Sequence, residues 1–178
     1  MLFRRRTFLL LAGSLALLVV AKPTPKAFYL ALPFVIVGEL IRIWASGYLT
    51  KLSGLVTAGP FALCRNPLYV GSFLISLGYL IMCDDIAVLI VGTAIFWLLH
   101  AGAVAYEEGL LREYFGEDYL RYCREVPRFL PRPHKLAGQG NFSFQRAMGN
   151  DEFRSAAFLV LFVSCFGLMA FGSFSVLN

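Results

Sequence analysis

Five apolar stretches constrain this chain more than any other feature of its sequence. A helix that crosses a bilayer needs roughly 20 mostly apolar residues, and these stretches reach or approach that length. Of the 178 residues, 58% are hydrophobic and only 15% are charged, whereas soluble domains average about 45–50% and about 25%. The sequence therefore predicts an all-α, polytopic membrane protein with about five transmembrane helices. The stretches are Thr7–Ala21, Ala27–Trp44, Leu68–Cys83, Ile86–Tyr106 and Ala156–Leu177.

The first stretch has two interpretations. Arg4-Arg5-Arg6 followed by Phe8–Ala21 is also typical of a signal peptide, and Arg5–Leu9 resembles a twin-arginine export signal. However, Lys22–Lys26 (KPTPK) is a short turn that leads straight into the next apolar stretch, which favours a helical hairpin. We therefore expect this stretch to remain as the first span.

The basic residues predict the orientation of the chain, because an excess of lysine and arginine marks the cytoplasmic side of a membrane. We expect the N-terminus inside, the C-terminus outside, and the polar segments Ala45–Pro67 and Glu107–Ser155 in the cytoplasm of a bacterium, at its inner membrane. The net charge of +5 then faces anionic headgroups or an anionic ligand, so nucleic acid is not needed to explain it. Only Lys22 and Lys26 fall outside, whereas the cytoplasmic side collects Arg4, Arg5, Arg6, Lys51, Arg65, Arg112, Arg121, Arg124, Arg128, Arg132, Lys135, Arg146 and Arg154.

The chain is expected to be a single domain over residues 1–178. Its motif-bearing core covers residues 38–133, a Gly-rich linker covers 137–150, and an extra C-terminal transmembrane helix covers 156–177. In that last helix the spacing of Gly167 and Gly172 approaches a small-residue contact motif, so a homodimer is one expectation. Neither a zinc site nor a disulfide framework is predicted, because no CxxC spacing occurs among Cys64, Cys83, Cys123 and Cys165.

Several polar residues fall at the predicted inner ends of the spans. Glu107 and Glu108 end the fourth span, where a carboxylate is expensive to desolvate, and His100 shares a helical face with Glu107. These residues are explained either by a functional site or by a solvated helix end. Three prolines in Val126–Pro133 preclude a helix and hold Arg128 near the membrane face. Asn66 before Pro67 is a plausible N-cap, and that helix start, flanked by Arg65 and Tyr69, also suits an anionic group.

Two motifs in this order resemble the family of isoprenylcysteine carboxyl methyltransferases and phospholipid methyltransferases, which are integral membrane enzymes. Leu55–Phe61 (LVTAGPF), followed by Arg65–Gly71 (RNPLYVG), looks like the family signature GPY…RHPxYxG. Glu107–Pro131 matches the pattern EExxL…FGxxYxxYxxxVPRxxP. Asn66 stands where many members carry His, Phe61 where many carry Tyr, and Ala103 where eukaryotic members that methylate prenylated cysteine carry an arginine.

The resemblance implies S-adenosylmethionine as the cofactor, bound in a pocket at the cytosolic face, and a membrane lipid or lipid-modified molecule as the methyl acceptor. We expect Glu107 to hold the ammonium or ribose of the cofactor, and Arg128 with Tyr122 to orient the acceptor. A carboxylate acceptor needs no base, whereas an amine acceptor would need Glu108 or His100 as a base. The residues that would line the cofactor pocket are Leu55, Val56, Phe61, Asn66, Pro67, Leu68, Tyr69 and Glu107.

Two other functions compete with methyl transfer at this point. An NADPH-dependent membrane reductase of the sterol-reductase type carries a similar Arg-x-Pro-x-Tyr turn, although such an enzyme would want a longer chain with more phosphate-binding arginines. A non-catalytic membrane scaffold that keeps the pocket is the second. The methyltransferase is the prediction that both motifs favour.

Overall fold

The structure is a computed structural model that describes residues 13, 15–50, 54–132, 138, 140–150 and 152–175. All regular structure in these residues is helical, and α1, α3 and a large part of α5 are long and apolar enough to cross a membrane, while α2 is a shorter apolar helix. The predicted all-α membrane fold is confirmed; of the predicted first span, residues 7–12 and 14 lie outside the described residues, and residues 15–20 are helical. The elements are α1 (Pro25–Tyr48), a 3₁₀ helix (Gly59–Ala62), α2 (Pro67–Met82), α3 (Ile86–Glu125), α4 (Phe144–Gly149) and α5 (Glu152–Ser175).

Side-chain caps fix the starts of two long helices at the same end of the molecule. The Thr24 hydroxyl accepts a hydrogen bond from the backbone N–H of Ala27 at the start of α1, and Asp85 accepts from Ala87 and Val88 at the start of α3. Such caps satisfy N–H groups that have no partner within the helix. The two turns also meet, because the Thr24 hydroxyl donates to Asp84 at 2.7 Å. We call this the turn end of the molecule.

Helices α1 and α2 pack backbone against backbone. A Cβ atom added to Gly71 would lie 2.6 Å from the carbonyl oxygen of Gly38, and one added to Gly38 would lie 2.7 Å from that of Gly71. Close approach of this kind requires small residues at the contact. Beside it, Arg42 donates to the Ser72 hydroxyl at 2.6 Å and lies 3.9 Å from Glu39, one turn earlier in α1.

Aromatic side chains attach α5 to the α1–α2 pair. Phe166 is fully buried, and its ring stacks on that of Tyr79 in α2 with centroids 6.1 Å apart. Phe171 meets Phe28 of α1 edge-on at 5.7 Å. Pairs in these geometries add to the gain from burial. This core lies toward the turn end and holds α1, α2 and α5 together.

Helix α3 is much longer than its neighbour α2. Its 40 residues continue through the predicted end of the fourth span to Glu125, with a kink at Gly116, where φ is 50° and ψ is −123°. A positive φ suits glycine best, so Gly116 can adopt this conformation without the strain that another residue would meet. Helix α3 extends past the start of α2, and this extra part, which ends at Glu125, lies over the loop between α1 and α2. We call this end of the molecule, which consists of the loop of residues 49–66 and the last part of α3, the basic end.

The segment predicted as a linker is more ordered than expected. Within residues 140–150 the chain forms α4, whose start is capped by the Ser143 hydroxyl, and Ala147 is fully buried. Asn150 donates to the carbonyl oxygens of Ser46 and Leu49 at the end of α1. The segment is thus fixed to the basic end of α1.

Candidate active site

Two adjacent glutamates of α3 face different partners at the basic end. The Tyr69 hydroxyl, in the first turn of α2, donates to Oε1 of the half-buried Glu107 at 2.8 Å. Among the described residues, no lysine, arginine or histidine forms an ion pair with Glu107. Glu107 therefore keeps its acceptor capacity for a cation or a hydroxyl-bearing ligand.

Glu108, by contrast, is surrounded by donors. Arg128 donates to its Oε2 through Nε, at 3.0 Å, and through Nη2, and Asn66 donates to Oε1 at 2.8 Å. The Nε atom of Arg65 lies 3.6 Å from the same Oε1. A buried carboxylate is stable only when paired in this way. The hydrogen bond to Glu108 also raises the pKa of the Arg128 guanidinium, which therefore stays charged.

The side chain of Asn66 does not cap α2, although its position is the N-cap. The sequence suggested a local cap, yet the amide donates instead to the buried carboxylate of Glu108, which is 42 residues further along the chain. Asparagine here still supplies an N–H donor, so the departure from the common histidine keeps a contact between the two motifs. Pro67 occupies the first helical position as predicted.

Backbone hydrogen bonds join the two motifs directly. The N–H of Arg65 donates to the carbonyl of Pro127 at 2.9 Å, that of Asn66 to Arg128 at 3.2 Å, and that of Arg132 to Leu63 at 2.9 Å. The proline-rich tail therefore lies along the loop that precedes α2. This contact fixes Arg128 beside Glu108, as the three prolines suggested, while 48% of the Arg128 side chain remains exposed.

Tyr122 has a structural partner inside the protein. Its buried hydroxyl donates to the carbonyl of Phe61, in the 3₁₀ helix, at 2.7 Å. Tyr122 also belongs to a buried cluster with Tyr119 and Val126, against which Leu55 packs. This geometry favours a role in holding the loop of residues 55–61 over the predicted role in orienting an acceptor.

The side chain of His100 is buried and packs against aromatic rings. Its ring stacks on Phe96 at 4.0 Å between centroids and meets Tyr69 edge-on at 5.8 Å. Its Nδ1 lies 2.8 Å from the carbonyl oxygen of Phe96, one turn earlier in the same helix. The histidine therefore borders the Tyr69–Glu107 pair from the membrane side of α3.

The remaining residues predicted to line the donor pocket include Val56 and Leu68. Val56 is half-buried, and its Cγ1 lies near Gly140; the carbonyl of Leu68 accepts a hydrogen bond from Ser72.

Cys64 is buried, and burial raises the pKa of its thiol to about 11, partly offset by a backbone hydrogen bond from Asn66, so it is a neutral thiol at physiological pH. In the part of the chain that the structure describes, no group of three or more His, Cys, Asp or Glu residues is arranged to hold a metal ion.

Arg65 was expected beside an anionic group, and the structure places it beside the internal carboxylate of Glu108. The contacts of residues 138 and 140–150 with the region of residues 46–58 were not predicted, because the partners are 80 to 104 residues apart in sequence and no local pattern reports them.

Known proteins resemble the core of this chain. The family model for phospholipid methyltransferases matches residues 41–118. The cobalt-zinc-cadmium resistance protein CzcN of Cupriavidus metallidurans is 34% identical, covering 62% of this chain and 54% of its own length. Protein-S-isoprenylcysteine O-methyltransferase A of Arabidopsis thaliana is 33% identical, covering 54% and 55% respectively. The chain thus spans about half the length of these curated relatives.

A solved structure agrees with these matches. It is that of the eukaryotic intramembrane Ras methyltransferase ICMT (isoprenylcysteine carboxyl methyltransferase), with a TM-score of 0.53 and 26% sequence identity over 62% of this chain and 44% of that chain. Asn66, Tyr69, Glu107 and Glu108 lie within the range of the family match, whereas Tyr122 and Arg128 lie beyond it. The core of the chain is therefore similar to isoprenylcysteine carboxyl methyltransferases and phospholipid methyltransferases, in agreement with the resemblance of the two motifs.

Proposed function

We propose that this protein is a membrane methyltransferase that uses S-adenosylmethionine to methylate a lipidic or lipid-linked acceptor. The observation that carries the proposal is the difference between its two glutamates. Glu108 is compensated by two arginines, whereas Glu107 is held by one tyrosine hydroxyl. The comparisons support the methyltransferase and give no support to the reductase.

The residues around Glu107 suit the proposed methyl donor. S-adenosylmethionine offers an ammonium group, ribose hydroxyls and a sulfonium when bound, and supplies the methyl group. The carboxylate of Glu107 suits the ammonium or a ribose hydroxyl, and the faces of Tyr69 and His100 provide an electron-rich aromatic surface that favours a cation. Leu55, Val56, Phe61, Asn66, Pro67 and Leu68 are proposed to border the rest of the donor.

The surroundings of Glu108 and His100 favour a carboxylate as the acceptor. An amine acceptor must lose a proton, and a carboxylate that already accepts hydrogen bonds from Arg128 and Asn66 is a weak base. Arg65 and Arg128 together exceed the charge of Glu108 by one positive unit. The exposed edge of Arg128 therefore suits an anionic acceptor that reacts in its ionised form.

The site would act mainly by positioning and by excluding water. Methyl transfer is an in-line displacement, for which a fixed geometry removes most of the entropic barrier. Positive charge on the donor and negative charge on a carboxylate cancel as the methyl moves, and a site of low polarity favours that change. Glu107 and Arg128 hold the two partners, and the apolar spans beside them admit a lipidic acceptor from the membrane. Ala103 stands where the enzymes that methylate prenylated cysteine carry an arginine, so the proposed acceptor is not restricted to one kind of lipid group.

The first test is donor binding to the purified protein in detergent, measured by calorimetry. We expect Glu107→Gln to weaken binding of S-adenosylmethionine about tenfold, since one charge-assisted contact is lost. Glu113→Gln is the matched control, because Glu113 is an exposed glutamate of the same helix. Equal affinity in both variants, or binding of NADPH instead, would contradict the proposal.

The second test identifies the acceptor. Membranes that contain the protein are incubated with donor carrying a tritiated methyl group, and the labelled lipids are treated with mild alkali. A methyl ester releases volatile methanol, whereas an N-methyl group does not. We expect volatile label that is strongly reduced with Glu107→Gln at a limiting concentration of the donor; label that resists alkali would identify an amine acceptor.

A further inference from the structure

A segment outside the matched region touches the loop assigned to the donor. We call it the connecting segment and define it as Gly138 with residues 140–150. It follows the proline-rich tail and precedes α5, beyond the range 41–118 of the family match. Gly138 lies so close to this loop that an added Cβ would stand 2.5 Å from Cα of Ala58 and 2.7 Å from the carbonyl oxygen of Thr57.

Aromatic contacts continue the attachment toward α1. The ring of Phe142 packs on Gly47, where a Cβ would collide with it, and its centroid is 5.9 Å from that of Tyr48. On its other side Tyr48 packs on Gly59, where an added Cβ would lie 2.5 Å from Cε2 of the tyrosine. Gly59 has a positive φ of 61° and begins the 3₁₀ helix, so Tyr48 connects the connecting segment with the turn that contains Phe61.

Hydrogen bonds hold the connecting segment in this place. The N–H of Ser143 donates to the carbonyl of Gly47 at 2.9 Å. The amide of Asn150 donates to the carbonyl oxygens of Ser46, at 3.0 Å, and Leu49, at 3.3 Å. These carbonyls lie at the C-terminal end of α1 or directly after it, where few intrahelical donors remain; that of Ser46 also accepts from the N–H of Leu49. The segment is therefore anchored on the C-terminal side of its contact with residues 56–59.

We propose that the connecting segment is part of the methyl-donor site and acts as a positioning element that holds residues 55–61 in the conformation that binds the donor. The proposal rests on the donor role assigned to those residues above. The loop is then held from two sides. On one side, the Tyr122 hydroxyl of α3 donates a hydrogen bond to the carbonyl of Phe61. On the other side, Gly138 packs against the loop and Phe142 packs against Tyr48.

The test compares Gly138→Ala with Gly102→Ala in the whole chain. A methyl group at Gly138 meets backbone atoms that cannot turn aside, whereas one at Gly102, in α3 and outside the connecting segment, meets nothing within 4 Å. We expect Gly138→Ala to weaken binding of S-adenosylmethionine about tenfold, because overpacking must shift the loop. Gly102→Ala should bind as the wild type does. Asn150→Ala provides a second variant, which removes the anchor without adding volume, and we expect it to weaken donor binding in the same direction.

Hydrogen exchange keeps the result separate from the proposed function. The amides of Phe61, Leu63 and Cys64 are hydrogen-bonded in and after the 3₁₀ helix, so their exchange reports whether the turn is held. We expect faster exchange there in Gly138→Ala and Asn150→Ala than in Gly102→Ala. Unchanged exchange in both would overturn the positioning role. A wild type that binds no donor would overturn the assignment of the donor site, even if the exchange rates moved as expected.

Discussion

At the scale of single residues, the site depends on the angle between successive side chains of a helix. Successive side chains of a helix point about 100° apart, so Glu107 and Glu108 cannot serve the same partner. One turns to Tyr69 on α2 and the other to Asn66 and the two arginines of the loops. A pair of identical residues thus supplies a ligand-binding carboxylate and a structural one.

Removal of the structural carboxylate is expected to destabilise the protein. Glu108→Ala leaves the largely buried Arg65 and the half-exposed Arg128 without their partner, and the loss of one member of such a group costs about 3 kcal/mol. Asp118→Ala is the control, because its pair with Arg121 is exposed on both sides and is worth less than about 1 kcal/mol. Reversible unfolding in mixed micelles measures both. Equal stabilities would mean that the arginines find other partners.

Local sequence indicated which residues lie close together at the basic end better than it indicated what each of them contacts. The motif spacing identified Asn66, Tyr69, Glu107 and Arg128, because these follow from helix starts, helix faces and prolines. It could not predict that the Asn66 amide leaves its own helix, or that Tyr122 bonds the carbonyl of Phe61, since both contacts join positions more than 40 residues apart. Partners at that separation are decided by tertiary packing.

At the scale of elements, the contact of α1 with α2 determines where the first turn of α2 lies. Inside a bilayer, close approach of backbones is a main source of helix association, and Gly38, Gly71 and Gly78 all lie against the opposite helix. The same helix, α2, carries Tyr69 only two residues before Gly71. Any displacement of this contact therefore reaches the tyrosine that holds Glu107.

Gly71→Ala tests this contact. The new methyl group would lie 2.6 Å from the carbonyl oxygen of Gly38, a backbone atom that cannot rotate away, and overpacking of this kind costs about 1–3 kcal/mol. Gly102→Ala, in α3, meets nothing within 4 Å and should leave stability unchanged or raise it, by up to about 1 kcal/mol. Unfolding in mixed micelles gives both values. A neutral Gly71→Ala would show that the two helices can separate without loss.

The helices themselves were largely predictable, whereas their lengths were less so. Apolar length identified α1, α2, α3 and α5. Yet α3 continues without a break from the predicted span past Glu107 to Gly116, because neither residue composition nor charge forces a helix to stop at a membrane boundary. Hydrophobicity reports where a helix leaves the lipid, and only caps or special backbone conformations report where it ends.

At the scale of the whole molecule, the two ends differ in charge in a way that predicts their sides of the membrane. The basic end carries the site with Arg65, Arg112 and Arg128, while Lys22 and Lys26 lie near the turn end with Asp84 and Asp85. Because basic loops stay in the cytoplasm, we expect the site to face the cytoplasm, where a soluble donor reaches it. The acceptor would then reach the same site from the lipid around α2 and α3.

Labelling of single cysteines tests this orientation in intact cells. In a variant whose native cysteines are replaced by alanine, Lys26→Cys places a thiol near the turn end and Arg124→Cys places one at the basic end; both positions are exposed. We expect a membrane-impermeant maleimide to label the first in intact cells and the second only after the membrane is permeabilised. The reverse pattern would put the site outside the cell. It would also separate Glu107 from a cytoplasmic donor, so the charge rule and the proposed chemistry are tested together by this one measurement.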